Sequence, residues 1–336
     1  MPDFSFIIPT YNAGFYIERC LKSIRSQKYQ QDKIEILIAD GGSADNTLEA
    51  AKNHNCFIVS NPKRLAEYGV QLGMLNARGD LVVVFAADNE LVGDNWLQKV
   101  AYIFDSIPDI AAVWGRLASG ENDSSLNKYF ELIQSDPLNW FLNRNLDTYR
   151  KMAQYHKEGC FIFRVTPDRP LVWGANGIVY RRKKIKTIWA QEGYLGDNDA
   201  FQCMIEHGDS KVVYFDAPFV YHHHVANIGD WIKKWKRNFI QHLADKYRTR
   251  NMNWVFTNGF KMKLMAWVLY SLIPLFPLLH SLYLFFKNKN KYWLYHPVVN
   301  SMQFYTYVTM TVFTKKGRDL VKGVIIGAHK AARRSV

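Results

Sequence analysis

The chain has 336 residues, 48% of them hydrophobic, and a formal net charge of +13. This length allows one large α/β domain and an appendage, and four scattered cysteines without a C-x-x-C pair argue against a zinc knuckle or a disulfide framework. Residues 1–225 carry 24 Lys+Arg and 27 Asp+Glu, whereas residues 226–336 carry 19 Lys+Arg and three Asp. The basic excess therefore lies in the C-terminal third, which predicts an anionic partner, either nucleic acid or membrane.

The first 115 residues alternate between short apolar runs and helical patterns. Strands are predicted over Phe4–Ile8, Ile34–Ala39, Phe57–Val59, Leu81–Phe85 and Ile110–Trp114. Helices are predicted over Phe15–Gln27, from an N-cap at Ser43, over Leu65–Asn76 and over Trp96–Phe104. This alternation indicates an α/β fold of Rossmann type, with a mostly parallel sheet and helices on both faces.

The later part of the N-terminal region is less regular. A strand-like run at Cys160–Val165 is followed by a helix over Asp197–His207 and a strand over Val212–Phe215. An Ala217-Pro218 turn then leads to three consecutive histidines. The predicted organisation is an α/β domain over residues 1–225, an amphipathic basic helix and linker over 226–260, and apolar helices with a basic tail over 261–336.

Three of the apolar runs end in short polar motifs. The motifs are Pro9-Thr10-Tyr11-Asn12, Asp40-Gly41-Gly42-Ser43-Ala44-Asp45 and Ala86-Ala87-Asp88-Asn89-Glu90. In an open α/β sheet, ligands bind at the carboxyl ends of the strands, so these motifs predict one shared crevice. The chain has no G-x-G-x-x-G after its first strand and no G-x-x-x-x-G-K-[ST], so dinucleotide and P-loop binding have no motif support.

The three motifs resemble those of the family 2 glycosyltransferases, which have the GT-A nucleotide-sugar-binding fold. The resemblance continues through Gly174–Gly177, Asp197-Asn198-Asp199 and His222–His224, and it covers about residues 4–225. It implies that the donor is bound by Pro9, Tyr11, Asn12, Asp40, Gly41, Gly42, Ser43, Ala87 and Asp88. An Asp40 carboxylate can accept from a base imide N–H, which favours a uracil or thymine nucleotide. A strand-to-helix turn with a capping residue is the alternative interpretation of Asp40–Ser43.

The acidic group at Asp88 is the predicted cation site. Family members usually carry D-x-D here, and the last Asp helps hold Mg²⁺ or Mn²⁺ against the diphosphate; this chain has Ala86 in place of the first Asp. The resemblance adds one of the three histidines to the metal or diphosphate site, with His222 and His224 as the candidates. A polar turn after a buried strand is the alternative interpretation of Asp88.

The resemblance also implies catalytic and acceptor-side residues. Asp197 matches the general base of inverting members, with Asp199 as its substitute, although Asp197 can equally cap the helix that follows. Trp173, Gly174, Ala175 and Asn176 match the acceptor-side loop. Lys63 and Arg64 can meet phosphates, but a solvated loop is the preferred interpretation of this pair.

The C-terminal third favours a membrane over nucleic acid as the anionic partner. Leu264–Phe286 and Tyr292–Thr314 contain no charged residue, and Trp and Tyr cluster in both segments. Pro274 and Pro277 can break the first segment, and lysines flank both segments, so in-plane or re-entrant helices are favoured over two full spans. Upstream, a Trp-rich stripe from Ile228 to Tyr247 predicts a basic amphipathic helix that lies on an anionic membrane or packs on the catalytic domain.

These features predict a glycosyltransferase at the cytoplasmic face of the cell membrane, since no signal peptide precedes the first strand. The expected donor is a nucleotide diphosphate sugar, UDP-linked, with a divalent cation; the expected acceptor is lipid-linked or a membrane-proximal glycan, with inversion at the anomeric carbon. The chain lacks the Q-x-x-R-W of processive polysaccharide synthases. A polyprenyl-phosphate monoglycosyltransferase and a non-catalytic membrane scaffold are the alternative functions.

Overall fold

A computed structural model describes residues 1–142, 150–156, 159–167, 176–189, 195–245 and 258–323. The chain divides into two compact units, of which the first comprises residues 1–123 and 143–224 and the second residues 124–142 and 225–336. The division at 224/225 falls one residue before the boundary that the sequence suggested. Segment 124–142, which the sequence analysis assigned to the N-terminal domain, belongs to the second unit.

The first unit is built on one mixed sheet. Its described strands are β1 (Phe4–Thr10), β2 (Ile34–Asp40), β3 (Phe57–Ser60), β4 (Leu81–Val84), β5 (Asn89–Leu91), β6 (Ala112–Ala118), β7 (Gln154–His156), β8 (Cys160–Arg164), β9 (Ile178–Arg181) and β10 (Lys211–His222). The order is β3-β2-β1-β4-β9-β6-β10-β8-β7, and β5 pairs with β10. Within the described residues β5, β8 and β9 run against the other strands. The predicted α/β class with a mostly parallel sheet is confirmed.

The helices account for most of the remaining regular structure. In chain order the described α-helices are α1 (Ile17–Arg25), α2 (Thr47–Asn53), α3 (Ala66–Asn76), α4 (Trp96–Ser106), α5 (Ser125–Ile133), α6 (Pro137–Phe141), α7 (Arg182–Trp189), α8 (Asp197–Glu206), α9 (Ile228–Asn238), α10 (Asn258–Leu272), α11 (Leu275–Asn288) and α12 (His296–Phe313). A π-helical turn spans Phe239–Ala244 and a 3₁₀ turn spans Lys291–Tyr295. Helices α5, α6 and α9–α12 belong to the second unit.

Both faces of the sheet are buried. Successive side chains of a strand point to opposite faces, so the apolar strands supply apolar side chains to both. Phe4, Phe6 and Ile8 pack on one face against α1, α2 and α4. Ile7 and Leu37 point to the opposite face, which α3, α7 and α8 cover. This arrangement leaves the loops at the carboxyl ends of β1, β2 and β4 at one edge of the sheet, where the polar motifs lie.

Two local predictions were wrong. Helix α2 begins at Thr47 and not near Ser43, because Ser43 bonds the Asp40 carboxylate and so belongs to the turn after β2. No turn interrupts the chain at Ala217-Pro218; β10 continues to His222, and a shift of register between Phe215 and Pro218 accommodates the proline, which has no N–H to donate to the ladder.

Two residues of the Trp-rich stripe in the second unit, Trp231 and Phe239, are buried. Trp231 is 1% exposed and lies 6.0 Å from Phe130, and the Phe239 ring lies 5.9 Å from Tyr307. Within its own unit this part of the face is occupied by aromatic partners, and contact of the helix with a membrane stays a prediction. The sequence pattern marked an apolar face correctly but could not show what covers it.

The first long apolar segment is broken where the sequence contains prolines. Helices α10 and α11 meet at a bend of 93°, with Ile273-Pro274 between them; the residue before a proline is disfavoured in helical conformation. Among the described residues, no single helix is both long and apolar enough to cross a bilayer, whereas the bent pair Lys261–Leu272 and Leu275–Asn288 meets that test jointly.

Candidate active site

The turn after β2 is organised by the Asp40 carboxylate. Its Oδ2 accepts from the backbone N–H groups of Gly42 and Ser43, both at 2.8 Å. Its Oδ1 accepts from the Thr10 hydroxyl at 3.0 Å and the Ser43 hydroxyl at 2.5 Å. Burial opposes ionisation of this group, but the four hydrogen bonds together lower the pKa of Asp40 below its usual value.

These bonds restrict how Asp40 can contact a nucleotide. A carboxylate offers about four lone-pair positions, and all four are used within the protein. A base imide N–H can therefore reach Asp40 only by displacing one of the present donors, of which the Thr10 and Ser43 hydroxyls can rotate away. Thr10 thus takes part in the predicted base pocket, although the sequence analysis did not select it.

The β1 and β2 loops are joined by a ladder of hydrogen bonds. The Asn12 N–H donates to Ser43 Oγ, and Asn12 Oδ1 accepts from the Ala44 N–H. The Ala13 N–H donates to Thr47 Oγ1 at 2.8 Å. Asn12 adopts a left-handed conformation with φ 49°, which asparagine tolerates better than most residues. The first two motifs therefore form one rigid edge.

Arg64 lies over the same edge. Its guanidinium carbon is 4.8 Å from the centroid of the Tyr11 ring, and its Nε–H donates to Gly41 O at 2.8 Å. A Cβ added at Gly41 would lie 3.2 Å from Arg64 Cγ and 3.3 Å from Tyr11 Cδ2, so glycine keeps this approach open. Tyr11 remains 49% exposed, and half-buried Pro9 precedes it in β1.

The sequence analysis preferred a solvated loop for Lys63-Arg64, and Arg64 was missed for this reason. The available signal was a basic pair directly after the third predicted strand, at the edge of the sheet where phosphates would bind. The pair divides in the structure: Lys63 Nζ lies 4.0 Å from the Tyr68 ring, whereas Arg64 turns towards Tyr11.

Asp88 follows β4 and meets the end of β10. Antiparallel pairing of β5 with β10 places His222 opposite Asn89. The His223 N–H donates to the Asp88 carbonyl oxygen at 3.0 Å, and His222 Nε2 lies 3.8 Å from Asp88 Oδ2. The structure thus brings together the third strand-end motif and the histidine cluster, which are 134 positions apart in the sequence.

The three histidines point in alternating directions along the chain. The rings of His222 and His224 are 4.7 Å apart. His223 lies between two carboxylates, with Nδ1 2.6 Å from Asp123 Oδ1 and Nε2 2.8 Å from Glu90 Oε1. His222 and His224 are therefore on the side suited to the predicted ion, and His223 holds the loop that carries Asp88.

The side chains beside Asp88 fit a cation that takes only some of its ligands from the protein and the others from a substrate. Within the described part of the chain, no group of three or more His, Cys, Asp or Glu side chains is arranged to hold a metal ion. Asp88 and His222 provide one carboxylate and one imidazole, and Mg²⁺ and Mn²⁺ sites of this kind commonly take their remaining ligands from phosphates and water. Glu90 does not replace the missing first Asp, because His223 and Arg19 engage it.

The two candidate catalytic carboxylates lie at the start of α8. Asp197 is its first residue and is half-buried, after the N-cap Gly196. Asp199 is only 2% exposed. Both lie in the first turn, where the helix dipole favours negative charge. The difference in exposure makes Asp197 the more accessible of the two to an acceptor.

Only one acceptor-side residue can be placed. Trp173, Gly174 and Ala175 lie outside the described residues. Asn176 Oδ1 accepts from Asn89 Nδ2 at 3.3 Å, one residue from Asp88. Gly177 has φ 77°, and a Cβ there would lie 2.4 Å from Val220 Cγ2, so glycine is required for Asn176 to reach this position.

Residues 5–166 match the family model described as glycosyl transferase family 2. A glucuronosyltransferase of Methanococcus voltae, named as acting on dolichyl N-acetyl-alpha-D-glucosaminyl phosphate, is 34% identical over 146 residues, covering 40% of this chain and 44% of that protein. A Campylobacter jejuni beta-1,3-glucosyltransferase, named for a diNAcBac-PP-undecaprenol glycan, is 29% identical over 150 residues, covering 40% and 47%. The matched part of this chain thus spans less than half the length of either relative.

A mannosyltransferase of Pyrobaculum calidifontis, solved with GDP-Man and Mn²⁺, resembles the chain with a TM-score of 0.54. The two are 16% identical, and the alignment covers 94% of this chain and 88% of the other. At that identity the likeness concerns the fold, and it supports a GT-A-like architecture for this protein.

Proposed function

We propose that this chain is a family 2 glycosyltransferase, as the match of residues 5–166 to that family model supports, and that it moves a sugar from a nucleotide diphosphate sugar to a lipid-linked or membrane-proximal glycan acceptor. The observation that carries the proposal is the junction of the three strand-end motifs with the histidine cluster. Asp40, Tyr11 and Arg64 lie at one part of this edge, and Asp88 and His222 meet at the end of β4.

The donor is bound along the β1 and β2 loops. The Tyr11 ring offers a flat face for the base or ribose, and Arg64 above it supplies a positive charge for the diphosphate. Gly41 and Gly42 allow close approach of the backbone, and Ser43 and Asn12 hold the loop in place. The proposed donor is a UDP-linked sugar. The imide N–H of its uracil would donate to Asp40 after the Thr10 or Ser43 hydroxyl rotates away.

A divalent cation, Mg²⁺ or Mn²⁺, would be held by Asp88 and His222, with His224 next to them. When bound, the ion neutralises charge on the leaving diphosphate. The protein contributes the positions of these side chains. The β5–β10 ladder holds His222, and the contacts of His223 with Asp123 and Glu90 hold the Asp88 loop.

Transfer proceeds with inversion, and the base is Asp197. Its carboxylate takes the proton of an acceptor hydroxyl as that oxygen attacks the anomeric carbon from the face opposite the diphosphate. Asp199 is the substitute, but its burial leaves it less able to reach an acceptor. Asn176, close to Asn89, is placed to bind the acceptor sugar.

The acceptor is carried by a lipid. Two relatives are named for glycans on dolichyl phosphate and undecaprenol carriers, and the apolar helices of the second unit would bring this protein to such carriers. We propose that the chain works at the cytoplasmic face of the membrane.

The decisive experiment is a screen of UDP-, GDP- and TDP-sugars for binding in Mn²⁺, followed by transfer to lipid extracts. Asp88→Asn should lower cation-dependent transfer at least about a hundredfold, because a neutral amide is a weak ligand for a hard cation. Asp94→Asn removes an exposed carboxylate paired with Lys28 and is the matched control. Full transfer by Asp88→Asn, or binding of no nucleotide sugar under any condition, would overturn the proposal; the second result would favour a scaffold.

A second variant separates the two enzymatic alternatives. With a hydroxyl acceptor, Asp197→Asn should lower kcat by about 10²–10⁴-fold and leave donor binding intact. With a polyprenyl phosphate as acceptor, an anionic oxygen attacks and needs no base, so most of the rate would remain. Retained transfer to polyprenyl phosphate by this variant would favour the monoglycosyltransferase.

A further inference from the structure

Polarity is inverted in helices α10 and α11 of the second unit. Ser271 and Ser281 are completely buried, whereas Leu269 is 60% and Leu279 is 54% exposed. Exposed single leucines are ordinary on protein surfaces, but here exposed apolar side chains recur along the described parts of both helices. Met262, Leu272, Phe276 and Phe286 continue the exposed apolar surface.

Several buried polar groups of this unit form hydrogen bonds within it. Asn300 on α12 accepts from Trp267 Nε1 at 3.0 Å and donates from Nδ2 to Ser271 Oγ at 3.0 Å. Ser281 Oγ donates to the Trp293 carbonyl oxygen at 2.7 Å. Helix α12 has the same inversion, since Asn300 and Gln303 are fully buried while Val298 and Val312 are exposed.

This pattern suits a lipid environment. In water a surface made of so many neighbouring apolar side chains is unfavourable, and monomeric proteins rarely expose one. In hydrocarbon the outward side chains are solvated by acyl chains, while polar groups must find partners inside the protein, as Asn300, Ser271 and Ser281 do.

The lengths and charges of the helices indicate how they meet the bilayer. With 15 and 14 residues, α10 and α11 are each about 21–23 Å long, which is less than the roughly 30 Å of a hydrocarbon core. Lysines stand at both ends of the pair, with Lys261 and Lys263 at its start and Lys287 and Lys289 at its end. A crossing would place one of these basic ends on the far side of the membrane.

We propose that α10 and α11 insert into a single leaflet of an anionic membrane, with the bend at Pro274 inside the leaflet and both ends on the same face. The inverted polarity provides the apolar contact and the flanking lysines contact lipid phosphates. This inference adds to the proposed function the part of the chain that contacts the membrane and the depth to which it inserts. It does not depend on the transfer reaction, because lipid binding is measured without donor or acceptor.

Thiol accessibility tests the single-leaflet arrangement. Gly259→Cys and Asn288→Cys place one thiol at each exposed end of the pair, and nothing lies within 4 Å of a Cβ at Gly259. In sealed inside-out membrane vesicles from cells that express the full chain, a membrane-impermeant maleimide should modify both thiols as fully as it does in detergent. Peptide mass spectrometry separates these thiols from the four native cysteines, all of which lie in the first unit. Protection of one end alone would overturn the proposal in favour of a crossing.

Vesicle flotation provides the second measurement. The full chain should bind phosphatidylcholine vesicles containing phosphatidylglycerol at least about tenfold more tightly than phosphatidylcholine alone. Leu269→Glu and Leu279→Glu should each weaken binding about tenfold or more. Leu75→Glu changes a 48% exposed leucine of the first unit and should have no effect. No binding to either vesicle, or equal binding by the Leu269→Glu and Leu75→Glu variants, would overturn the proposal; a dimer that Leu269→Glu disrupts would assign this surface to a second copy of the chain.

Discussion

The two units of this chain differ in how their helices distribute polar and apolar side chains between interior and surface. The first unit buries Phe6, Ile8 and Val83 between its sheet and helices, and it places its carboxylates and histidines at the strand ends. The second unit buries Asn300 and Ser271 among its helices and exposes leucines and methionines. We propose that the first unit folds with water around it and that α10 and α11 of the second unit contact lipid, and the predictions below test that difference.

The largest effect is expected from matched leucine truncations in the two units. Leu97→Ala removes a fully buried side chain of α4 and should lower the free energy of unfolding of the first unit by about 2–5 kcal/mol. Leu279→Ala removes a 54% exposed side chain and should cost the second unit less than about 0.5 kcal/mol in detergent. Peptide-level hydrogen exchange in urea reads each unit separately. Equal losses would mean that Leu279 packs against protein.

The next effect concerns the polar interior of the second unit. Asn300→Ala removes the partners of Trp267 Nε1 and Ser271 Oγ inside a buried region and should cost about 2–3 kcal/mol. Asn288→Ala, at an exposed position, is the control and should change stability little. Hydrogen exchange of α10 and α12 is the measurement. If Asn300→Leu proved as stable as the parent, the polar interior would be dispensable.

Acidification should distinguish the units. Burial, with a smaller contribution from His280, lowers the pKa of His296 to about 3. Between pH 6.5, its ordinary pKa, and about pH 3, His296 is therefore protonated in the unfolded chain but neutral in the folded chain. The stability of the second unit should fall by about 2 kcal/mol between pH 6.5 and pH 5.

The first unit should respond only at lower pH. Hydrogen bonds hold the pKa of Asp40 below its ordinary value of 3.8 in spite of burial, so its stabilising contribution is present above that value and is lost as the pH falls below it. Hydrogen exchange of α12 and of β2 across this range compares the two units. Simultaneous loss of protection at both sites above pH 5 would contradict the assignment.

The smallest effect is expected at the start of segment 124–142, which belongs to the second unit although the residues on either side of it in the sequence belong to the first. Ser124 caps α5 by accepting from the Asn127 N–H, and its hydroxyl also donates to the Val225 carbonyl oxygen at 2.9 Å. Ser124→Ala should cost about 1 kcal/mol, detected as faster exchange in α5. The neighbouring Ser125→Ala is the control, and an equal effect there would remove the role of the cap.

The sequence predicted much of the fold because its signals are local. Strands β1, β2 and β4 are nearly continuous apolar runs, as expected for strands buried on both faces, and they were located to within two residues. The strand-end motifs also predicted the edge of the sheet where Asp40 and Asp88 lie. The extension of β10 to His222 was missed, because a proline inside a strand resembles a turn when the paired strand is not known.

The candidate site was only partly predictable. The meeting of His222 with Asp88 agrees with the resemblance, but the alternation that turns His223 towards Asp123 and Glu90 requires the β5–β10 pairing. The hydrogen bond from the Thr10 hydroxyl to Asp40 and the contact of Arg64 with Tyr11 depend on loops that the fold brings together. No pattern of spacing encodes those contacts, because the partners lie tens of residues apart.

The sequence by itself determined that an α/β domain with a nucleotide-sugar family pattern precedes a basic, apolar C-terminal region, since composition and periodicity are properties of short segments. Tertiary structure decided which apolar surfaces are covered. Trp231 and Phe239, which looked like a membrane-facing stripe, are buried by aromatic partners, whereas Leu269 and Leu279 face outward around a bonded polar interior. The physical reason is that an apolar side chain is favourable against protein or against lipid alike, and only the packing of the whole unit selects between the two.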